Sequence, residues 1–479
     1  MFVRLLSAFA LAATAASAQT ASQPAAEART FTDAEIRTAN QLIDKALADD
    51  TAWKVVESLT TEIGPRLAGS EAEARARDWG AAKLKALGFK NVRIETYDMP
   101  YWSRTHEKVE IVSPFAQPLI VTALGNSPAT PEGGVTGEVV RFSSYQALVD
   151  APMTGLEGKI VFVDEKMTRT QDGSGYGVAV AKRGGASREG KKRGAVAALI
   201  RSVGTDSHRN PHTGSMGAGG EDAFIPAAAL SAPDADQLAR ALRLADGKPV
   251  TVKVDIGVER KASVVSGNVI GEIPGQTDEI VLIGGHLDSW DLGTGAIDDG
   301  AGVAITAAAA KLVGDLPGKP KRTIRVIMWG AEEVGLFGAR AYAEAHKGEL
   351  SLHHAAGESD FGAGRIWQFS SRFGEGALPV AKAISRALHR LGVGPGGNYG
   401  FGGPDVSPLR AAGVPIASLE QDGLDYFDLH HTPDDTLDKI DPEDLKQNVA
   451  AWAATIWLLS ETEGSLRNPS PTGAGSAAN

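Results

Sequence analysis

Ile280-Val281-Leu282-Ile283-Gly284-Gly285-His286-Leu287-Asp288 is the stretch on which the fold turns. Its four consecutive apolar residues predict a short strand buried on both faces, since a strand with one wet face would alternate. The run breaks off in two glycines, then in His286 and Asp288. Such groups belong at the C-terminal end of a strand in an open α/β sheet, where function gathers. Downstream the pattern repeats: Ala301 to Leu312 is an alanine-rich helix, Ile324 to Met328 a second buried strand, and Leu336 to His346 a second helix. Apolar strands separated by helices imply an α/β fold with a central sheet covered on both faces.

Every strand in this region ends in ionisable residues. Glu332 and Glu333 follow Ile324–Met328, Asp360 follows Leu352–Gly357, and His430 and His431 follow Leu419–Tyr426. Asp298-Asp299-Gly300 stands at the start of the Ala301–Leu312 helix. Each group taken alone has a plain reading: a helix cap, a solvated acidic pair, a surface turn. Together they break apolar patterns with groups that are costly to bury unpaired, and a metal is the simplest common partner. Two histidines and three carboxylates make an oxygen/nitrogen site suited to zinc, and an odd set with a shared carboxylate suits two ions. His286 and Asp288, two apart in extended chain, project to one side, so the Asp288 carboxylate is expected on the second ring nitrogen of His286.

Outward from this core, Phe31 to Leu59 has helical spacing, and Ser70 opens a further helix with Glu73 completing a capping box. Val92 to Tyr97 alternates as a strand. Residues 116–255 have a different texture, with buried strands at 158–163 and 194–200 and a helix starting near Ser231; they read as a self-contained α+β module. Asp441-Pro442 begins a last long helix through Leu459. The expected organisation is a signal peptide at 1–18, a main domain in two parts at 27–115 and 256–463, the module at 116–255 inserted between them, and a disordered tail at 464–479. The signal peptide is read from Arg4, the short apolar run Leu5–Ala16 and the small residues Ala16-Ser17-Ala18, and it implies export to the periplasm or outside the cell. Gln19 to Arg29 reads as a linker.

Bulk properties agree. A chain of 479 residues is too long for one hydrophobic core, and 43 % hydrophobic with 22 % charged residues is ordinary for a soluble enzyme. The net charge of −11 argues against nucleic acid as a partner. No apolar run is long enough to span a membrane. The absence of cysteine excludes disulfides, thiolate nucleophiles and thiolate metal sites.

Five ordered motifs resemble the co-catalytic zinc aminopeptidase and glutamate carboxypeptidase family: Gly285-His286-Leu287-Asp288, Asp298-Asp299-Gly300-Ala301-Gly302, Ala331-Glu332-Glu333-Val334-Gly335, Asp360, and His431-Thr432-Pro433-Asp434-Asp435-Thr436. Ile63-Gly64-Pro65-Arg66 fits the family's N-terminal region, and 116–255 resembles its inserted protease-associated domain. The resemblance implies a zinc exopeptidase α/β/α sandwich with a mixed central sheet. It implies two Zn2+ per chain, one on His286 and Asp360, one on Glu333 and His431, bridged by Asp298. Glu332 becomes the general base acting on a water between the ions, with Asp288 orienting His286, and the Asp298–Asp299 peptide bond is expected to be cis. Many members carry Tyr where this chain has His430, next to the last ligand; its imidazole is therefore expected to stabilise the oxyanion. Short peptides, dipeptides among them, are the implied substrates, and a homodimer is compatible with the family. A ligand-less scaffold on this fold and a single-zinc glutaminyl cyclase are the competing readings; the complete ligand set and Glu332 favour two-metal hydrolysis. Polarity stays open, with Asp405 and Asp425 as candidate partners for an α-amine, Arg365 and Arg372 for an α-carboxylate, and Gly400-Phe401-Gly402-Gly403 as pocket wall. The inserted module lies outside every metal motif and is expected to cover the site.

Overall fold

In the computed structural model, which describes residues 30–219 and 221–467, the strand Thr277–His286 lies inside a mixed sheet. Arg322–Trp329 runs parallel to it on one side and His353–Glu358 on the other. Beyond His353–Glu358 come Ile416–Gln421, parallel, and Ile366–Arg372, antiparallel. Beyond Arg322–Trp329 comes Thr251–Ile273, antiparallel. The apolar run 280–283 has two dry faces for a simple reason: alternate residues enter different cores. Val281 and Ile283 pack with the helices Ala301–Gly314 and Pro442–Glu461, while Ile280 and Leu282 pack with Trp329, Tyr342 and Leu409 on the opposite face. The expected signal peptide, the linker at 19–29 and residues 468–479 lie outside the described residues.

The caps follow the sequence with one correction. The Asp441 carboxylate accepts from the Glu443 and Asp444 backbone N–H groups at 2.8 and 3.3 Å, and the Ser70 hydroxyl accepts from the Glu73 N–H at 3.1 Å. Glu73 does not complete a capping box. Its carboxylate is buried, 3.0 Å from Arg77 and accepting from the Ser266 hydroxyl at 3.2 Å, because the helix Glu71–Ala86 lies on the sheet and turns that side chain inward.

Two long strands, Lys90–Ser113 and Thr251–Ile273, pair antiparallel along most of their length. This ribbon carries the chain into a second set of strands. Val135–Phe142 pairs with the first residues of Thr251–Ile273 and continues, in parallel, through Ile160–Val163, Ala197–Arg201 and Ala227–Leu230. Residues 117–256 supply most of two apolar clusters, one around Phe162 and Leu199, which Leu67, Trp102, Val109, Ile111 and Trp290 join, and one around Val161 and Ile200 on the other face. The division expected at 255/256 falls inside one continuous strand, whose two ends pair with different neighbours. Residues 464–467, expected in the tail, belong to the fold: Leu466 is buried in the main core, and Arg467 donates to the carbonyl of His353 at 3.0 Å.

His353 opens the strand that leads to Asp360. Its Nδ1–H donates to the Glu349 carbonyl at 3.1 Å, and its Nε2 accepts from the Tyr342 hydroxyl at 2.9 Å, so the neutral ring is the satisfied one. Burial, with the Arg325 charge nearby, pushes its pKa down to about 4. The unfolded chain takes this proton first, near pH about 6.5. Stability should therefore fall as pH drops from there toward 4, and His353→Gln should flatten that fall. Melting temperatures of both proteins across this range check it; equal slopes would count against it.

Candidate metal centre

The glycines around His286 are a matter of space. The helix Ala301–Gly314 begins directly behind the end of the strand, and a β-carbon at Gly302 would collide with the Ser359 carbonyl and the Asp299 carboxylate; one at Gly285 would also meet Asp299. The two adjacent aspartates divide their work. Asp299 serves backbone: one oxygen accepts from the His286 N–H at 2.9 Å, the other from the Gly302 N–H at 3.0 Å, as a helix cap does. Asp298 faces the site, and the peptide between the two is cis.

The loop from His286 to Asp298 is held from outside. Arg66, fully buried, donates to the carbonyls of Leu287, Thr294 (2.6 Å) and Gly295 (2.8 Å). The Asp435 carboxylate accepts from the N–H groups of Ile297 at 2.6 Å and Asp298 at 3.3 Å. Two motif residues to which the sequence assigned no chemistry, in Ile63-Gly64-Pro65-Arg66 and His431-Thr432-Pro433-Asp434-Asp435, thus brace one loop.

The five expected ligands come together at one end of the sheet. Asp298 spans two histidines: Oδ1 lies 2.9 Å from His286 Nε2, and Oδ2 lies 3.2 Å from His431 Nε2. His286 Nε2 is also 3.5 Å from Asp360 Oδ1, and His431 Nε2 is 2.9 Å from Glu333 Oε2. The far ring nitrogens meet backbone. His431 Nδ1–H donates to the Thr213 carbonyl at 3.2 Å, and His286 Nδ1–H donates to the carbonyl of Asp288 at 2.9 Å. The expected carboxylate–histidine contact is thereby corrected. The Asp288 carboxylate stands 3.8 Å off and accepts instead from the Glu332 N–H at 3.0 Å, because the chain turns at the strand end and presents its carbonyl to the ring.

The residues fit a metal. Among the described residues, no lysine or arginine pairs with Asp298, Glu332, Glu333 or Asp360, and Glu333 Oε1 is buried without a partner. Burial opposes charging His431, yet Glu333 and Asp298 hold its pKa up to about 9. Burial pushes Glu332 well above the usual carboxyl range. Burial and the neighbouring His431 drive His430 far below the usual imidazole value. His430 stacks on His431 with centroids 3.4 Å apart; its Nε2 is 3.6 Å from Asp298 Oδ2, and its Nδ1 has no partner.

A cavity of about 640 Å³ opens over this cluster. Phe401 and Gly403 line it, as the glycine-rich run predicts, and so do Glu332, Glu358 and His430. The four residues expected to read substrate ends do not. Asp405 is buried behind Glu358, Asp425 pairs with Arg169, Arg365 with Asp444, and Arg372 donates to the carbonyls of Tyr399 and Gly400. Arg183 and Tyr176, from the 116–255 segment, line the cavity in their place. Arg183 sits in a basic, glycine-rich stretch of sequence, and nothing there marks which cation turns inward.

The sequence profile of peptidase family M28 matches residues 268–456. Carboxypeptidase Q of Mus musculus is 33 % identical over 85 % of this chain and 84 % of its own length, and that of Homo sapiens 32 % identical over 87 % and 86 %. The chain belongs to peptidase family M28. By enzyme class this peptidase is a metallo-exopeptidase. A peptidase M28 precursor from Shewanella amazonensis SB2B, known from its crystal structure, is 50 % identical, with a TM-score of 0.88 over 92 % of this chain and 99 % of that one. A zinc aminopeptidase from Bacillus subtilis, at 20 % identity and a TM-score of 0.65 over 87 % of this chain and 98 % of that one, shares the fold.

Arg66→Met should leave the Leu287 and Thr294 carbonyls without donors, at about 1–3 kcal/mol each, and take one of two donors from the Gly295 carbonyl. The expected outcome is a lower melting temperature together with reduced metal content by elemental analysis. A variant unchanged in both would show that the 287–295 loop holds itself.

Proposed function

We propose that this M28 peptidase is an exported two-zinc exopeptidase acting on short peptides, dipeptides among them, with free ends. The observation that carries the reading is the division of the Asp298 carboxylate, one oxygen on His286 beside Asp360, the other on His431 beside Glu333. Two half-sites that share one carboxylate suit a pair of ions, and a donor set of nitrogen and oxygen without thiolate suits zinc. His286 and Asp360 would hold one ion, Glu333 and His431 the other, with Asp298 common to both. Zinc so held lowers the pKa of water toward about 7 and polarises a carbonyl. Export rests on the pattern at 1–18; among the described residues no helix is long and apolar enough to cross a membrane.

The chain's own groups divide the remaining work. Glu332 lines the cavity with its backbone fixed on Asp288, so its carboxyl is free to take a proton and pass it to the leaving amine. His430 stays neutral and keeps one N–H for the substrate carbonyl oxygen. Arg183 reads the end of the peptide. Among the described residues it is the one arginine or lysine lining a cavity rich in carboxylates; Nη1 donates to the Tyr176 hydroxyl at 2.8 Å, while Nε and Nη2 have no partner. A buried guanidinium without an anion is costly, and a substrate α-carboxylate supplies one.

Glu332→Gln should retain two zinc ions and lose about 10²–10⁴-fold in kcat. His430→Ala should likewise keep both ions and lose about 10²–10³-fold in kcat. Asp298→Ala and His431→Ala should lose metal. Two zinc ions per chain in Asp298→Ala, or an emptied site in His430→Ala, would reverse those roles. For the substrate end, Arg183→Met should raise KM for free dipeptides by roughly 30-fold while scarcely changing KM for their C-terminal amides. Equal effects on both would remove Arg183 from carboxylate recognition.

A further inference from the structure

His431 has a backbone φ of +62°, in the left-handed region that a β-carbon disfavours. A residue so placed persists only where its surroundings fix it. Here the fixing comes from the segment 116–255. The Thr213 N–H donates to the His431 carbonyl at 3.1 Å, and the Thr213 carbonyl accepts from His431 Nδ1–H at 3.2 Å, so one residue grips both backbone and ring. One position earlier, His212 Nδ1–H donates to the His430 carbonyl at 2.7 Å, and its Nε2 lies 2.8 Å from the Asp206 carboxylate. Asp206 and His212 have almost no solvent exposure at their side chains. Flanking bonds run the same way: the Thr205 N–H donates to the Phe427 carbonyl at 3.0 Å, and the Thr205 hydroxyl to Asp428 at 2.7 Å. Gly204 makes the approach feasible, since a β-carbon there would strike the His212 ring.

We propose that Asp206, His212 and Thr213 act as a strap through which the 116–255 segment positions the His430–His431 pair. The segment thereby sets the affinity of one of the two metal positions, beyond forming part of the cavity wall. The proposal rests on the reading of His431 as a ligand. An acceptor on Nδ1–H leaves the Nε2 lone pair facing Glu333 and Asp298, and it fixes the plane of the ring. His212 does the same for the peptide before it, since the carbonyl it holds is the one joined to the His431 nitrogen. Loss of such an outer partner typically costs about 10–100-fold in metal affinity. The other position, built on His286 and Asp360, takes its outer partner from Asp288 and has no bond to this strap.

Metal-free full-length protein, titrated with Zn2+ against a competing chelator, provides the test. His212→Phe and Asp206→Ala should each weaken one of the two binding steps by about 10–100-fold and leave the other within about 3-fold. Asp206→Asn, which keeps an oxygen for His212, should restore the weakened step. The metal-free variants should melt somewhat below the parent, because each leaves a buried polar group without its partner, and stay folded at the temperature of the titration. If His212→Phe fails to fold, Asp206→Ala decides the matter, since it leaves the buried ring in place. Two unchanged steps, two steps weakened together, or no rescue by Asp206→Asn would each overturn the strap. His431→Ala separates this failure from that of the underlying reading. If it too binds two zinc ions with parental affinity, the ligand assignment fails; if it loses one while the strap variants keep both, only the strap fails.

Discussion

Carboxyl groups crowded at the end of an apolar sheet, with only imidazoles to face, are the constraint on which the rest depends. Asp298, Glu333 and Asp360 meet His286 and His431, while Glu358 and Asp405 stand buried close by with unpartnered oxygens. Buried negative charge at this density is tolerable only with a concentrated positive partner. A bound metal would meet that need, and it would account for the collection, at one spot, of groups that an apolar sheet end otherwise excludes.

Such a cluster must be braced, because carboxylates that repel one another would otherwise spread into solvent. The motif residues accordingly fall into two kinds. His286, Asp298, Glu333, Asp360 and His431 point into the cluster. Asp299, Gly285, Gly302, Arg66 and Asp435 never enter it; they fix backbone, by capping a helix, by permitting close packing, or by gripping carbonyls and N–H groups of the loop between His286 and Asp298. The acidic doublets divide on the same lines: Asp299 faces backbone and Asp298 imidazoles, while Glu333 faces His431 and Glu332 the open cavity.

The segment 116–255 forms part of the cavity wall. Its strands pack into two apolar clusters, and the long antiparallel ribbon joins it to the main sheet. From that base it delivers Tyr176 and Arg183 to the wall, and the Thr213 carbonyl to the ring of His431. Cavity polarity therefore has two sources. The sheet ends supply imidazoles and most of the carboxylates, and the segment 116–255 supplies Arg183 and Asp172.

Sequence alone located the sheet core and the acids and histidines that gather at its end, because both are local. A run such as Ile280–Ile283 declares burial on two faces, and an acid or histidine that ends an apolar strand is conspicuous within a few residues. Caps at Ser70 and Asp441 were legible for the same reason. Other features became visible only in the tertiary structure, because they depend on which backbone groups lie opposite one another. The Glu73 carboxylate turns inward since its helix lies on the sheet. His286 takes the Asp288 carbonyl in place of the carboxylate because the chain turns at the strand end. Arg183 lines the cavity while Arg365 and Arg372 bond elsewhere on the main domain, although all three are the same residue in similar company. The grip of Thr213 on His431 joins positions 218 apart through a backbone oxygen, and every residue carries one of those, so no side-chain pattern could reveal it.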